Sequence, residues 1–254
     1  MTPQRRAHLA GHIIVWVAHI SQAQDSLHFL DPFLDAHDRE RVARFRFPAD
    51  KARFVLGRAM LRKCLGHFLE QAPESVELAY TEKGRPVLPH DERIQFSISH
   101  TQDLVAVALT DGASIGIDLE AVSPHLDLFE LAERVFSAED LATFQAHPAH
   151  EKLAAFYRAW TRKEAYLKAR GEGIAEGLQQ ICVSMAPQEV LSVQDKRHDC
   201  ETKRWHLVSL PLPGGYAGTV ACDDMTRNLE GTYVTFLDGE PIPDSSWCFR
   251  SQVR

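Results

Sequence analysis

Two prolines, Pro48 and Pro148, each interrupt a helical run and each precede a longer one, and this doubled break restricts the fold more than any other feature. In the first half a strand-like run, Ile13 to Ile20, leads into a helical region from Pro32 to Phe45. After Pro48 a second helix is predicted from about Ala49 to Glu70, with Phe54, Leu61, Leu65 and Phe68 at helical spacing. Strand-like VELAY, the turn signal KGRP, then IQFSIS and LVAVALT follow. Past DGAS at Asp111 the order restarts with the strand SIGIDLE and the helices LFELAERVF and SAEDLATFQ. Pro148 breaks these, a long helix runs from about His150 to Ala169, and QICVSM, RWHLVSL and YAGTVAC read as strands. No residue-level period accompanies the repeated order, so the repeat is one of structure. The expected fold is α+β, with two similar lobes, each a small antiparallel sheet packed with a long helix. Boundaries are expected at residues 1–113, 114–227 and, as a turn-rich appended tail, 228–254.

The composition of the 254 residues, 44% hydrophobic and 25% charged, is that of an ordinary globular chain. A net charge of −7 gives no support for nonspecific nucleic-acid binding. Five cysteines are scattered without a C-x-x-C pair, which reads as reduced thiols in a cytoplasmic protein. The apolar run Ile13 to Ala18, after Arg5 and Arg6, is too short for a signal peptide core or a membrane span, and a first strand is the better reading. A soluble, cytoplasmic protein without a membrane partner is therefore expected.

In GIDLE, Gly116 to Glu120, apolar and polar residues alternate at the period of a half-buried strand. Asp118 and Glu120 then share a face, about 7 Å apart along the strand, where two carboxylates repel each other. The long helix carries WTRKEAYLK from Trp160 to Lys168. At about 100° per residue from Trp160, Glu164 falls at about 40°, between Leu167 at about −20° and Tyr157 at about 60°. Lys168 falls on the edge of that stripe. A solvated i,i+4 pair of Glu164 with Lys168 is the plain alternative. The helical phase argues against it, because a carboxylate on the buried side is costly unless paired or bound to a metal. Asp118, Glu120 and Glu164 could gather around one divalent cation. An all-carboxylate set favours a hard ion, Mg²⁺ or Mn²⁺, over zinc.

Between Arg39 and Lys63 nine basic residues stand against Glu40 and Asp50 alone, a net charge of +7. Such an inversion in an acidic chain suggests an anion-binding surface, with many of the arginines on solvated helix faces. KGRP, Lys83 to Pro86, and SISH, Ser97 to His100, are further candidates. The other histidines, among them His12, His19, His147 and His150, read as structural.

Together these segments resemble the Sfp-type 4′-phosphopantetheinyl transferases, over roughly Phe29 to Cys222. GIDLE is similar to that family's G-[IV]-D-x-E strand and WTRKEAYLK to its W-[ST]-x-K-E-[AS]-x-x-K helix. GRP stands where the family usually has Gly-Lys-Pro, and FSISH where it has Phe-Asn-hydrophobic-Ser-His. Arg85 thus replaces a lysine, keeping the charge with different geometry, and Ser97 replaces an asparagine. The resemblance implies a coenzyme A site in a cleft between two α+β lobes. Arg53 and Arg41 would bind the 3′-phosphoadenosine end, and Arg85, Ser99 and His100 the phosphates. Asp118, Glu120 and Glu164 would hold Mg²⁺ against the pyrophosphate, with Asp118 and Lys168 also meeting the coenzyme. The implied reaction moves phosphopantetheine to a serine of an acyl or peptidyl carrier protein of fatty-acid, polyketide or peptide-synthetase type. Glu164 would be the base, with a water on the metal as alternative, and Lys168 would neutralise the leaving group. A loop at about Gly171 to Val183 would meet the carrier through Ile174 and Leu178. A monomer would suffice. The alternatives are a metal-dependent phosphohydrolase or nuclease, and a catalytically silent nucleotide-binding module.

Overall fold

A computed structural model describes residues 1–172, 177–187, 193–198, 205–237 and 240–249. In chain order its elements are α1 (Pro3–Gly11), β1 (His12–His19), α2 (Ile20–Ala23), a 3₁₀ stretch (Gln24–Phe33), α3 (Ala36–Arg44) and α4 (Pro48–Leu69). β2 (Ala79–Tyr80), β3 (Pro86–Val87), β4 (Ile94–Thr101) and β5 (Leu104–Asp111) follow. The second half holds β6 (Ile115–Ala121), α5 (Leu128–Val135), α6 (Ala138–Ala146), α7 (Ala149–Ala169), β7 (Ile181–Cys182), β8 (Gln194–Asp195), β9 (His206–Ser209) and β10 (Tyr216–Cys222). β11 (Asn228–Leu237) and β12 (Glu240–Phe249) close the order. No helix among the described residues is long and apolar enough to cross a membrane.

The chain divides into two compact α+β units, Met1–Gly112 with the described residues from Thr226 onward, and Ala113–Met225. The first carries the sheet β12-β11-β1-β5-β4, the second the sheet β6-β10-β9. The repeat expected from the element order has a counterpart in the pairing. In the first unit the opening strand β1 pairs antiparallel with β5, whose other neighbour is β4. In the second, β6 pairs antiparallel with β10, whose other neighbour is β9. Two features differ from expectation. The first sheet is mixed, because β1 pairs parallel with β11. The residues read as an appended turn-rich tail instead supply β11 and β12, two strands of that sheet. Pro241 and Pro243, the signs of a turn, lie in β12 at the sheet edge, where a missing N–H is tolerated.

The long helices begin as their prolines suggest. Pro48 occupies the first turn of α4, and Pro148 is the residue before α7. Leu56, Met60, Leu61 and Leu65 of α4 are fully buried in one core with Val105, Val107 and Leu109 of β5. α7 packs on β6 and β10 in the second core, with Phe156, Ala159, Ala165 and Leu167 among its buried residues. Their contact is unusually close. A Cβ on Gly116 would lie 2.0 Å from the Ala165 carbonyl oxygen and 2.5 Å from the Ala169 nitrogen, so only glycine fits.

The candidate active site on β6 and α7

Strand alternation puts Gly116, Asp118 and Glu120 on one face of β6, and the glycine brings α7 down onto that face. Every residue from Thr161 to Leu167 is buried, polar ones included. The Trp160 indole N–H donates to Glu120 Oε1 at 3.0 Å. Thr161 Oγ1 meets Thr219 Oγ1 of β10 at 2.8 Å. Arg162 donates to the carbonyls of Ser184 and Ala186 at 2.6 and 2.8 Å. Lys163 Nζ lies 2.7 Å from Asp140 and donates to the Val135 and Leu178 carbonyls. These contacts fix the rotation of α7, and they turn Glu164 and Lys168 toward β6. Lys168 Nζ donates to Asp118 Oδ1 at 2.7 Å and keeps 27% side-chain exposure, so its ammonium can also reach solvent or a ligand.

Glu164 is the outlier of the helix. It is 2% exposed, and both its carboxylate oxygens are buried without a hydrogen-bond partner. Burial, then the nearby Asp118 charge, push its carboxyl up to about 7 against the pull of Lys168. Glu120 is also pushed up to about 7 by burial and by Asp118, against the Trp160 hydrogen bond and Lys168. A buried carboxylate without a donor is stabilised only by a proton or a cation. The donor set is all oxygen, which suits a hard divalent ion. Glu164's bare oxygens fit such an ion better than they fit any protein group around them. The three carboxylates stand further apart than the tightest potential ligand clusters among the described residues, in which ligand atoms lie within 4.8 Å.

The first unit places the remaining candidates along β4. Arg53 ion-pairs with Asp50 and donates to the Gln102 carbonyl at 3.0 Å, in the β4–β5 turn just past Ser99 and His100. Arg85 donates to the Phe96 carbonyl at 3.2 Å, and burial holds its guanidinium below the ordinary arginine value. Arg85 also borders a recess of about 360 Å³ with Val87, Leu88 and Phe96. Arg85 is thus tied to the strand that carries buried Ser99 and exposed His100, and Arg53 to the turn that follows it. Arg41 is exposed and lies over the Phe54 ring at 5.2 Å.

The basic segment divides differently from the solvated faces expected of it. Arg58, Arg62 and Lys63 are buried. Arg58 pairs with Asp38 at 3.0 Å, and Arg62 with Asp35 at 2.5 Å and Asp38 at 3.4 Å. Lys63 lies over the Phe33 ring. Composition counts these charges but cannot see the aspartates of α3 that neutralise them. Periodicity and spacing do not single out Trp160, Arg162 and Lys163 as supports of the site. Their positions inside WTRKE were the only signal. The loop expected to meet the carrier, Gly171 to Val183, is described in part. Leu178 packs against the second core and Gly171, at φ +69°, caps α7, while Ile174 lies outside the described residues.

Comparison with known proteins is consistent along the chain. Residues 114–221 match the family described as the 4′-phosphopantetheinyl transferase superfamily. Residues 20–111 match the description "4′-phosphopantetheinyl transferase, N-terminal". The chain is 35% identical to the 4′-phosphopantetheinyl transferase HetI of Nostoc sp., over 73% of this chain and 79% of that one. It is 31% identical to the 4′-phosphopantetheinyl transferase psf-1 of Bacillus pumilus, over 82% and 92%. A match to the AcpT transferase of Salmonella typhimurium, 35% identical, covers 48% and 59%.

Proposed function

The chain belongs to the 4′-phosphopantetheinyl transferase superfamily, and from that premise we propose that it moves phosphopantetheine from coenzyme A to carrier proteins at the β6–α7 site, with Mg²⁺ as its metal. Coenzyme A is the donor, and a serine hydroxyl of an acyl or peptidyl carrier protein is the acceptor. The serine oxygen forms a bond to the β-phosphorus of the pyrophosphate, the bridging P–O bond breaks, and adenosine 3′,5′-bisphosphate leaves. The observation that carries this reading is Glu164, a buried carboxylate without a donor, on a rigid helix beside Asp118 and Lys168.

Asp118, Glu120 and Glu164 would hold the ion, which when bound supplies countercharge to the pyrophosphate oxygens. Glu164 accepts the serine proton, and such a base contributes about 10²–10⁴-fold. Lys168, partly exposed and already turned toward Asp118, neutralises the charge that builds on the leaving phosphate. Trp160 holds Glu120 against rotation. In the first unit Arg41 and Arg53 take the 3′-phosphoadenosine end, and Arg85, Ser99 and His100 the phosphates. The protein acts in the cytoplasm as a monomer.

The test is mass spectrometry of apo carrier proteins incubated with coenzyme A, Mg²⁺ and this protein. Gain of one phosphopantetheine group on the acceptor serine is expected, dependent on Mg²⁺. Coenzyme A breakdown without carrier modification would overturn the reading in favour of hydrolysis.

A further inference from the structure

Outside the β6–α7 site, two histidines and a glutamate of the first unit, His8, His12 and Glu230, stand together. α1 ends at Gly11, and the chain turns extended at His12, whose backbone N–H bonds the Leu9 carbonyl. The last-turn carbonyl of His8 therefore needs another donor. It is met by the His12 ring, with Nδ1 at 2.8 Å from His8 O. A carbonyl only accepts, so Nδ1 carries a proton, which leaves Nε2, on the far side of the ring, as the atom that can offer a lone pair. The His8 ring stacks on that of His12, with centroids 4.4 Å apart and planes 20° from parallel. Both Nε2 atoms point at Glu230 of β11, His8 at 3.2 Å from Oε2 and His12 at 3.3 Å from Oε1. One ligand atom from each of the three residues lies within 4.8 Å of the others.

We infer that His8, His12 and Glu230 form a binding site for a borderline divalent transition metal of the Zn²⁺ class. Four-coordinate Zn²⁺ with bonds of about 2.0–2.1 Å spaces neighbouring ligands by about 3.3 Å, close to the nitrogen–oxygen separations here. The Nδ1–H bond to a backbone carbonyl is the usual way a metal-binding imidazole is held in the right tautomer. With His12 neutral, its Nε2 and the carboxylate would face each other as two acceptors, and a cation between them removes the conflict. Two imidazoles and a carboxylate select a different ion from the oxygen-only set on β6 and α7. The other two clusters of possible ligands among the described residues differ. The Asp35 and Asp38 carboxylates are paired with Arg62, and Glu172 and Asp195 with Arg197. The trio is partly exposed, so an ion can enter and a water can fill the fourth position. Its ligands come from the ends of the chain, so the ion would clip α1 and the start of β1 to β11. This inference does not depend on the transferase reading.

The test uses the full chain, stripped with chelator and held in saturating Mg²⁺, and titrates Zn²⁺ while following bound metal and Tm. One tight equivalent and a rise in Tm are expected for the wild type. Both should be lost in His12→Ala and in Glu230→Gln. Because Glu230→Gln is nearly isosteric and partly exposed, it keeps the fold even if His12→Ala does not. Co²⁺ in place of Zn²⁺ should give the visible bands of a four-coordinate nitrogen–oxygen site without a thiolate charge-transfer band. Equal Zn²⁺ uptake by wild type and Glu230→Gln, or none by the wild type, would overturn the site and leave the trio as an imidazolium–carboxylate cluster.

Discussion

At the scale of single residues the molecule turns on Glu164. Glu164→Gln removes its charge at nearly constant volume, so the fold should survive while kcat falls by orders of magnitude. Excess Mg²⁺ would restore activity if Glu164 were only a ligand, and it should fail to do so if Glu164 is also the proposed base. Steady-state kinetics beside a thermal melt checks this, and near-normal kcat would return Glu164 to a structural role. The same residue carries a pH signature. Glu164 and Glu120 are each raised from an ordinary 4.5 to about 7 in the folded protein. The folded state therefore binds protons that the unfolded state has released across that window, and stability falls as pH rises through it. In Mg²⁺-free buffer Tm should decline between those values, and Glu164→Gln should flatten part of the slope. A Tm that rises over the window would sink the burial argument. If Arg53 and His100, beside the β4–β5 turn, bind the coenzyme as proposed, alanine at either should raise KM for coenzyme A more than it lowers kcat. An unchanged KM in both variants would remove them from the site.

At the scale of elements the decisive contact is the seat of α7 on β6. Gly116 is what lets the Asp118–Glu120 face approach Glu164 and Lys168. An alanine there would drive its methyl into the backbone of α7 at Ala165 and Ala169, not into a side chain that could turn aside. Gly116→Ala should cost about 3 kcal/mol or more, at the upper end of overpacking, and activity should fall even in the folded fraction because the carboxylates are pushed apart. Chemical denaturation of the variant measures the first effect and kcat per folded molecule the second. A stable, active Gly116→Ala would show that α7 can lift without consequence. Glu164 is buried, as its helical phase predicts, but for a broader reason than an apolar stripe. The whole stretch around it is enclosed, and Arg162 and Lys163 on other faces are as buried as Leu167.

At the scale of the whole molecule the C-terminal residues matter more than their composition suggests. β11 lies parallel against β1 from His12 to Val17, and buried Arg227 donates to the Leu9 carbonyl and to Thr110 Oγ1 at 2.9 and 2.7 Å. Truncation after Met225 should strip β1 of a neighbour, leave an open sheet edge and make the first unit aggregate or melt early. Hydrogen exchange of the β1 amides would report it, and a truncated chain with native protection there would mean that the last strands are dispensable. The paired order of β1-β5-β4 and β6-β10-β9 marks the two units as variations on one pattern.

The sequence by itself determined what depends on local periodicity. The long helices after Pro48 and Pro148, the strand alternation of GIDLE, the burial of Glu164 and the restart near Asp111 are all properties of spacing along one segment. GIDLE and WTRKEAYLK also carried the family resemblance. Only the tertiary structure decided what depends on partners distant in the chain. It assigned Arg58 and Arg62 to Asp35 and Asp38, not to an anion surface, because an ion pair forms across space and composition has no coordinate for it. It made a turn-rich segment into two strands, because an open sheet edge supplies hydrogen bonds that outweigh weak strand propensity. It also set His12 beside Glu230, residues from opposite ends of the chain, through a parallel pairing that no local pattern encodes.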